Sequence, residues 1–510
     1  MRIHIECAGP RYETEITRLI HLFYPDVETI FASADQVDKN SDLLIHVTTK
    51  LADDVVEAIV QIGASAHFAR STAIPFHDSA IQRKSAKRAV VHALYRALSH
   101  HTDRKLPWGV LGGVRPTKLA HDELRRTSGA SGASDADITT KLQSDFLMAP
   151  DRANLLLEVA QRELQVMPDL YQLDQEVSIY IGIPFCPTHC AYCTFPAYSM
   201  VDKARYANQF LDALIKEIRM TGEMLFAYRI PVTTVYVGGG TPSSLMAREL
   251  RQLLEAIYEY IPGANSWREL SVEAGRADTI TPDRVAVMRE YGVNRISVNP
   301  QTFNAQTLKT IGRGHAPDIV PRRFELCREA GFENINMDLI LGLPGETLDD
   351  VKRSVEKTLM LKPDAVTIHT LALKRAAVVN RERDSYDIAP DDEIVRMMEH
   401  VDHEVRMAGL SPYYLYRQRD ILGNLENIGY SVFGKEGLYN ISIIEEVQTI
   451  IGLGGGASSK WVKPGTAAIL RHQNPREPSI YVETLDEVFA KKARDLQDVC
   501  EAIASVRELQ

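Results

Sequence analysis

From residue 177 onward the chain repeats one pattern six times: a short apolar run, a turn, then a helical stretch with apolar residues at i, i+3 and i+4. The predicted strands are 178–183, 233–237, 269–273, 295–298, 334–341 and 365–370. Leu211-Asp-Ala-Leu-Ile-Lys-Glu-Ile-Arg and Leu250-Arg-Gln-Leu-Leu-Glu-Ala-Ile show the helical spacing. Parallel strands need crossover connections, so consecutive units of this kind predict a parallel sheet. Six units fall short of the eight that close a TIM barrel. The expected fold is α/β: a partial (β/α)6 barrel over 171–375. An N-terminal α/β domain at 1–126 and a linker with helical connector at 127–170 precede it, and a C-terminal α+β extension at 376–510 follows.

The first domain has strand-like runs at 2–7 and 43–48 with a helical pattern at 14–23 between them. A helical stretch at 79–101 carries Arg83, Lys84, Lys87, Arg88 and Arg96. Such a run reads first as a solvated helix face, with an anion-binding face as the functional alternative. The Ser/Gly/Ala-rich segment at 127–135 is the clearest linker. A chain shortened to begin near Asp145 is therefore expected to keep the chemistry of the part that follows. With 25% charged residues and a net charge of −10, the composition excludes a general nucleic-acid or membrane-surface binder. Six cysteines in 510 residues form no disulfide framework and fit a reducing compartment. Without a long apolar run or leader, a monomeric cytoplasmic protein is expected.

Directly after the first barrel strand comes Phe185-Cys-Pro-Thr-His-Cys-Ala-Tyr-Cys, which sets Cys186, Cys190 and Cys193 in the spacing C-x3-C-x2-C. Thiolates are soft ligands and hold iron–sulfur clusters. Three of them leave one iron of a [4Fe–4S] cube open, a place where a cofactor can be bound and reduced. A structural zinc site is the alternative. It prefers four ligands in paired spacings, and no second pair follows, although His189 lies inside the loop. Cys7, Cys327 and Cys500 are scattered, as structural cysteines are, and Cys327 is assigned to the core.

In parallel α/β sheets reactive groups gather at the carboxyl ends of the strands. The second strand ends in Gly238-Gly-Gly-Thr-Pro, whose glycines let backbone N–H groups approach a ligand closely. The third ends at Glu273, a carboxylate that is costly to bury unless paired or ligand-bound. The fourth leads to Gln301 and the loop Gly312-Arg-Gly-His. The fifth carries Asp338, then Gly342-Leu-Pro-Gly. Each has an ordinary structural reading alone; five in succession do not. Gly452-Leu-Gly-Gly-Gly-Ala matches G-x-G-x-x-A but lacks the βαβ surroundings of a dinucleotide site.

The cysteine motif with an aromatic residue before its last cysteine, Gly-Gly-Gly-Thr-Pro, the strand-end glutamate and Asp338-Leu-Ile-Leu-Gly-Leu-Pro-Gly together resemble the radical S-adenosylmethionine superfamily. Tyr180-Ile-Gly-Ile-Pro-Phe-Cys, Tyr236-Val-Gly-Gly-Gly-Thr-Pro-Ser, Arg295-Ile-Ser-Val-Asn-Pro-Gln-Thr-Phe and Gly312-Arg-Gly-His are similar to the oxygen-independent coproporphyrinogen III oxidases. The N-terminal domain and Leu415-Tyr-Arg-Gln with Asn424-Leu-Glu-Asn resemble their Z-type, dehydrogenase-like branch. The resemblance implies that Cys186, Cys190 and Cys193 ligate a [4Fe–4S] cluster. Tyr180 and Tyr192 would flank S-adenosylmethionine bound to it, and Gly239 and Glu273 would hold that molecule. Gly240, Thr241, Gln301, Arg313, Asp338 and Ala372 would surround a second S-adenosylmethionine, with Ser458 closing the site. No side chain is given a catalytic role of its own.

The implied reaction is oxidative decarboxylation in porphyrin and haem biosynthesis. A 5′-deoxyadenosyl radical takes a hydrogen from a propionate of coproporphyrinogen III, and loss of CO2 and an electron leaves a vinyl group. The tetrapyrrole would be gripped by cationic side chains such as Arg313, Arg375 and Arg417. A low-potential donor such as a flavodoxin or ferredoxin would supply electrons. Phe195 stands where the best-known enzymes of this kind carry a further cysteine, which brings the motif nearer the haem-chaperone branch. A haem-trafficking protein on the same fold is the rival reading.

Overall fold

The computed structural model describes residues 1–25, 27–32, 42–52, 55–63, 65–72, 79–128, 134–466 and 468–508. Residues 129–133, the middle of the expected linker, lie outside the described residues. The chain forms two compact units, one of residues 1–113 and 122–157, the other of 114–121 and 158–510. The expected N-terminal domain thus gives residues 114–121 to the second unit, where the expected barrel and C-terminal extension lie together.

The chain begins with β1 (Arg2–Ala8), α1 (Glu13–Phe23), β2 (Glu28–Ala32), β3 (Leu43–Ala52), β4 (Val55–Ile62), β5 (Ser65–Thr72) and α2 (Ser79–Thr102). The five strands form one sheet in the order β2-β1-β3-β4-β5, parallel on both sides of β1 and antiparallel beyond β3. Ile16, Leu19, Ile20 and Phe23 put the apolar stripe of α1 into the core, where it meets Val90, Leu94 and Leu98 of α2. The basic run of α2 faces the other way. Arg83, Lys84, Arg88 and Arg96 are exposed, and Lys87 pairs with Glu15 at 3.2 Å. Then come α3 (Thr117–Ser128), α4 (Asp135–Phe146) and α5 (Pro150–Val166).

The second unit continues with β6 (Val177–Ile183), β7 (Phe185–Cys186), β8 (Tyr198–Ser199), α6 (Met200–Ala227), β9 (Val232–Gly239), α7 (Ala247–Tyr260) and β10 (Glu269–Val272). After these come α8 (Pro282–Glu290), β11 (Arg295–Ser297), α9 (Ala305–Thr310), α10 (Ile319–Glu329), β12 (Ile335–Leu341), α11 (Leu348–Met360) and β13 (Ala365–Thr370). The last part holds α12 (Val378–Arg381), α13 (Asp391–Met407), β14 (Ser411–Tyr416), β15 (Asn427–Ser431), α14 (Leu438–Glu445), β16 (Thr449–Gly454), β17 (Ser458–Val462), β18 (Ile469–Gln473) and α15 (Pro478–Glu508).

Among the described residues, eleven strands make one sheet in the order β14-β15-β13-β12-β11-β10-β9-β6-β16-β17-β18. The six expected strands are consecutive neighbours in it, all parallel. A seventh parallel strand, β16, returns from far along the chain to lie beside β6. Antiparallel strands extend both ends, so β14 and β18 remain edges and the barrel is partial.

The two faces of the sheet differ in kind. Ile179, Ile181, Val235, Val237, Val272 and Ile296 belong to the main apolar core with Phe210, Leu214 and Leu253 of the covering helices. Alternate positions carry Ser178 and Tyr180, Thr234 and Tyr236, Asn336 and Asp338, and then His369. A strand with period 2 sends these residues to the opposite face. Polar and aromatic groups therefore line one side, and burial of the apolar set fixes the register.

A fully buried ion pair, Glu217 with Lys492, lies among these layers. Glu217 of α6 accepts from Lys492 Nζ at 2.9 Å, Tyr481 Oη at 2.7 Å, the Gly454 N–H at 2.7 Å and Asn474 Nδ2 at 2.9 Å. It thereby ties α15 and β16 to α6. Breaking one partner out of such a pair costs about 3–5 kcal/mol, because the other charge stays buried. No described helix is long and apolar enough to cross a membrane.

Candidate functional site

The cysteine loop leaves the carboxyl end of β6 and is pinned from several sides. Its β7 pairs with β8, and the Cys193 N–H donates to the Cys190 carbonyl at 2.9 Å, which makes a tight turn. The Ala191 N–H reaches the Ile311 carbonyl at 2.9 Å, and the Thr188 hydroxyl reaches the Gly312 carbonyl at 2.8 Å. Arg276 holds Thr188 at 2.8 Å and is itself fixed by Asp278. Cys186 and Cys190 are buried and Cys193 is half-buried. Burial pushes the Cys193 thiol up to about 11. Cys193 is thus a protonated thiol near neutral pH, and a metal that binds there must displace that proton.

Beside it lies the glycine turn that ends β9. The Gly240 N–H donates to the Ile183 carbonyl at 2.7 Å, the Thr241 N–H to the Phe185 carbonyl at 2.8 Å, and Thr241 Oγ1 lies 3.3 Å from Cys186 Sγ. Gly239 has φ +112°, and a Cβ there would come within 2.7 Å of the Ile183 carbonyl oxygen. A Cβ on Gly240 would meet the Phe185 oxygen at 2.5 Å, and one on Gly238 would meet Glu273 Oε2 at 2.8 Å. Side chains are excluded here by the neighbouring backbone and by Glu273.

Glu273 accepts from the Gly239 N–H and the Tyr236 hydroxyl. Burial, with the charge of Asp338 adding to it, raises its carboxyl to about 7. Tyr180, Tyr236 and Tyr439 stack beside it, with ring centroids 4.5 Å apart for Tyr236 and Tyr439 and 6.1 Å apart for Tyr180 and Tyr236.

Further along the same face, burial alone would raise Asp338, but hydrogen bonds and charge from His369, with Asn336 and Thr367, outweigh it and hold the carboxyl low. Asn299 Nδ2 donates to Asp338 at 2.6 Å, and Asn336 Nδ2 at 2.7 Å. Gln301 sits at φ +64°, with its N–H on the Asp338 carbonyl at 2.9 Å and its buried Oε1 without a hydrogen-bond partner. Arg313 donates to Tyr192 Oη at 3.2 Å and to the Gly275 and Asn299 carbonyls at 3.0 Å, with Nη1 at 3.9 Å from Cys190 Sγ.

Three thiols, an unpartnered buried amide oxygen and glycine backbone cleared of Cβ atoms fit a thiolate-bound cluster with a polar cofactor beside it. Of the expected site residues, the structure gathers the three cysteines with Tyr192, Thr241, Gly240 and Arg313, and Tyr180 and Gly239 with Glu273. Gln301 and Asp338 adjoin each other. Ala372 is buried just past β13, bridged to Ile421. Ser458 is exposed at the start of β17, and shortly before it a Cβ on Gly455 would meet Pro184 and one on Gly456 would meet Pro196. Among the arginines expected to grip propionates, Arg313 and Arg417 direct donors to the chain's own carbonyls, and Arg375 is exposed.

Sequence reasoning missed Tyr236, Asn299, Arg276, His369 and Tyr439. The first two stand inside motifs quoted above, one period-2 step from a named residue. Tyr439 carries no signal, since α14 brings it to the stack from another part of the chain.

The radical SAM superfamily model matches residues 180–358. The oxygen-independent coproporphyrinogen-III oxidase-like protein HemZ of Bacillus subtilis (strain 168) is 39% identical over 504 residues, covering 98% of this chain and 99% of its own. The heme chaperone HemW of the same organism is 30% identical over 55% of this chain and 70% of its own. Coproporphyrinogen III oxidase (HemN) from Escherichia coli, described as a radical SAM enzyme, superposes with a TM-score of 0.51 at 22% identity, over 63% of this chain and 72% of its own. That likeness shows the fold. With a match along nearly its whole length, the chain belongs to the radical S-adenosylmethionine superfamily and, within it, to the family of HemZ-like coproporphyrinogen oxidase-like proteins.

Proposed function

We propose that this protein is a cytoplasmic radical S-adenosylmethionine oxidoreductase that converts propionates of coproporphyrinogen III to vinyl groups without oxygen. The observation that carries the reading is the convergence, at neighbouring strand ends, of the three-cysteine loop with the glycine turn and Glu273. When bound, a [4Fe–4S] cluster and S-adenosylmethionine supply a carbon radical able to take hydrogen from an unactivated C–H bond. Cys186, Cys190 and Cys193 would hold the cluster. Gly239 and Glu273 present a backbone and a carboxylate acceptor to one S-adenosylmethionine, with Tyr180 and Tyr192 beside it. Gly240, Thr241, Gln301, Arg313, Asp338 and Ala372 would hold a second. The buried setting excludes water from a reactive intermediate.

The overlap with a heme chaperone and the exposed Phe195 of the cysteine loop support a second reading, a haem-binding protein on the same fold. Anaerobically reconstituted protein, given coproporphyrinogen III, dithionite and S-adenosylmethionine, is expected to yield vinyl products by mass spectrometry. No vinyl product, together with stoichiometric haem binding, would favour the second reading.

A further inference from the structure

Away from the cysteine loop, three buried ionisable side chains of the second unit converge: His121 on α3, Glu163 on α5 and Glu445 at the end of α14. They are 3%, 0% and 4% exposed. One nitrogen or carboxylate oxygen from each lies within 4.8 Å of the other two. His121 Nε2 is 2.6 Å from Glu163 Oε2 and 3.9 Å from Glu445 Oε2.

Arg115, Lys118, Lys460 and Arg471 pair with the neighbouring Glu446, at 3.0, 2.7, 3.4 and 3.2 Å, and Lys118 also acts on Glu445 from there. Within the cluster itself two buried carboxylates meet a single imidazole, an arrangement that is costly unless protons or a cation enter. Glu163 Oε1 is wholly buried and has no hydrogen-bond partner. Outer groups already orient the donors. His121 Nδ1 lies 2.9 Å from the Tyr171 hydroxyl, which leaves Nε2 aimed at the carboxylates, and the Thr117 hydroxyl donates to Glu445 Oε1. An imidazole whose second nitrogen is fixed by a hydrogen bond is the usual arrangement of a metal-ligating histidine.

We propose that His121, Glu163 and Glu445 form a binding site for one divalent transition-metal ion, separate from the cysteine loop. An imidazole with two carboxylates suits Mn2+, Fe2+ or Zn2+. An ion there joins residues 114–121 to α5 and α14. Because α14 also carries Tyr439 of the tyrosine stack, the ion braces one wall beside Glu273.

The test uses the full-length protein with its cysteine loop loaded with cluster and Mn2+ as the probe, since Mn2+ avoids thiolates. Free Mn2+ is read by electron paramagnetic resonance, and metal-dependent stabilisation by thermal melting. One tight Mn2+ per chain and a rise in Tm are expected. Glu163→Gln and Glu445→Gln keep the side-chain shape, so both variants should fold without metal yet lose the tight site and the Tm rise. Tyr171→Phe should weaken binding by about 10- to 100-fold. Absence of a tight site in the unaltered protein, or binding in both glutamine variants as tight as in the unaltered protein, would overturn the proposal.

Discussion

Glu273 titrates where a cell operates. Burial and Asp338 bring its carboxyl to about 7, so near neutral pH it is half ionised before any ligand arrives. The role proposed for it, as an acceptor for S-adenosylmethionine, requires the ionised form. Below that pKa the proton must leave on binding, which costs about tenfold in affinity per pH unit. Affinity should therefore rise with pH through about 7 and level off above it, and Glu273→Gln should flatten the profile. Equilibrium dialysis between about pH 5.5 and 8.5 reads this, and an equally steep profile in the variant would remove Glu273 from the pocket. At the same scale, Cys190→Ala should lose the bound iron. Cys327→Ala should keep it, because that thiol is buried in the main apolar core, where burial pushes it up to about 12. Iron content and visible absorbance after anaerobic reconstitution separate the two. The cysteines, the glycine turn, Glu273 and Asp338 were legible because each is a strand-end residue of a type that burial alone does not explain. The Tyr439 contact was not, since stacking depends on tertiary position.

Among the elements, the six parallel strands were legible from their apolar runs and the helices between them. The seventh was not. Thr449–Gly454 contains two glycines and runs into two more, so its composition reads as a turn, yet it is a central strand. The glycines are there because backbones meet. A Cβ on Gly452 would come within 2.7 Å of the Ser458 backbone, and one on Gly454 within 2.4 Å of the Gly182 oxygen. Gly454 (φ +88°) and Gly434 (φ +80°) make a matched pair, since around Gly434 nothing lies within 4 Å. Gly434→Ala should lose only the backbone preference, about 1 kcal/mol. Gly454→Ala should lose that and also push β16 from β6, for several kcal/mol in all. Thermal melting checks the ranking, and equal shifts would show that the contact between the strands yields freely.

Across the whole molecule, the break between units does not follow the linker composition. Residues 114–121 lie upstream of the Ser/Gly/Ala run but belong with the barrel: the Arg417 N–H donates to the Val114 carbonyl at 2.7 Å, and Lys118 pairs with Glu446. A protein beginning near Asp145 would lose these contacts and leave Glu163 and Glu445 without His121. It should therefore melt earlier and make less 5′-deoxyadenosine than one beginning at Val114, measured at matched cluster content; equal yields would show that residues 114–121 are dispensable. A last consequence concerns synthesis. The donors that satisfy Glu217 lie from 237 residues onward in the chain, and the last, Lys492, is 275 residues away. At the pace of a ribosome, about 5–20 residues per second, that gap is roughly 15–55 s. For most of it, until residue 449, Cys186, Cys190 and Cys193 have been made while β16 and the glycines beside Pro184 and Pro196 have not. An iron donor working on the nascent chain meets the loop without these neighbours, whereas one working on the finished chain meets it packed beside them.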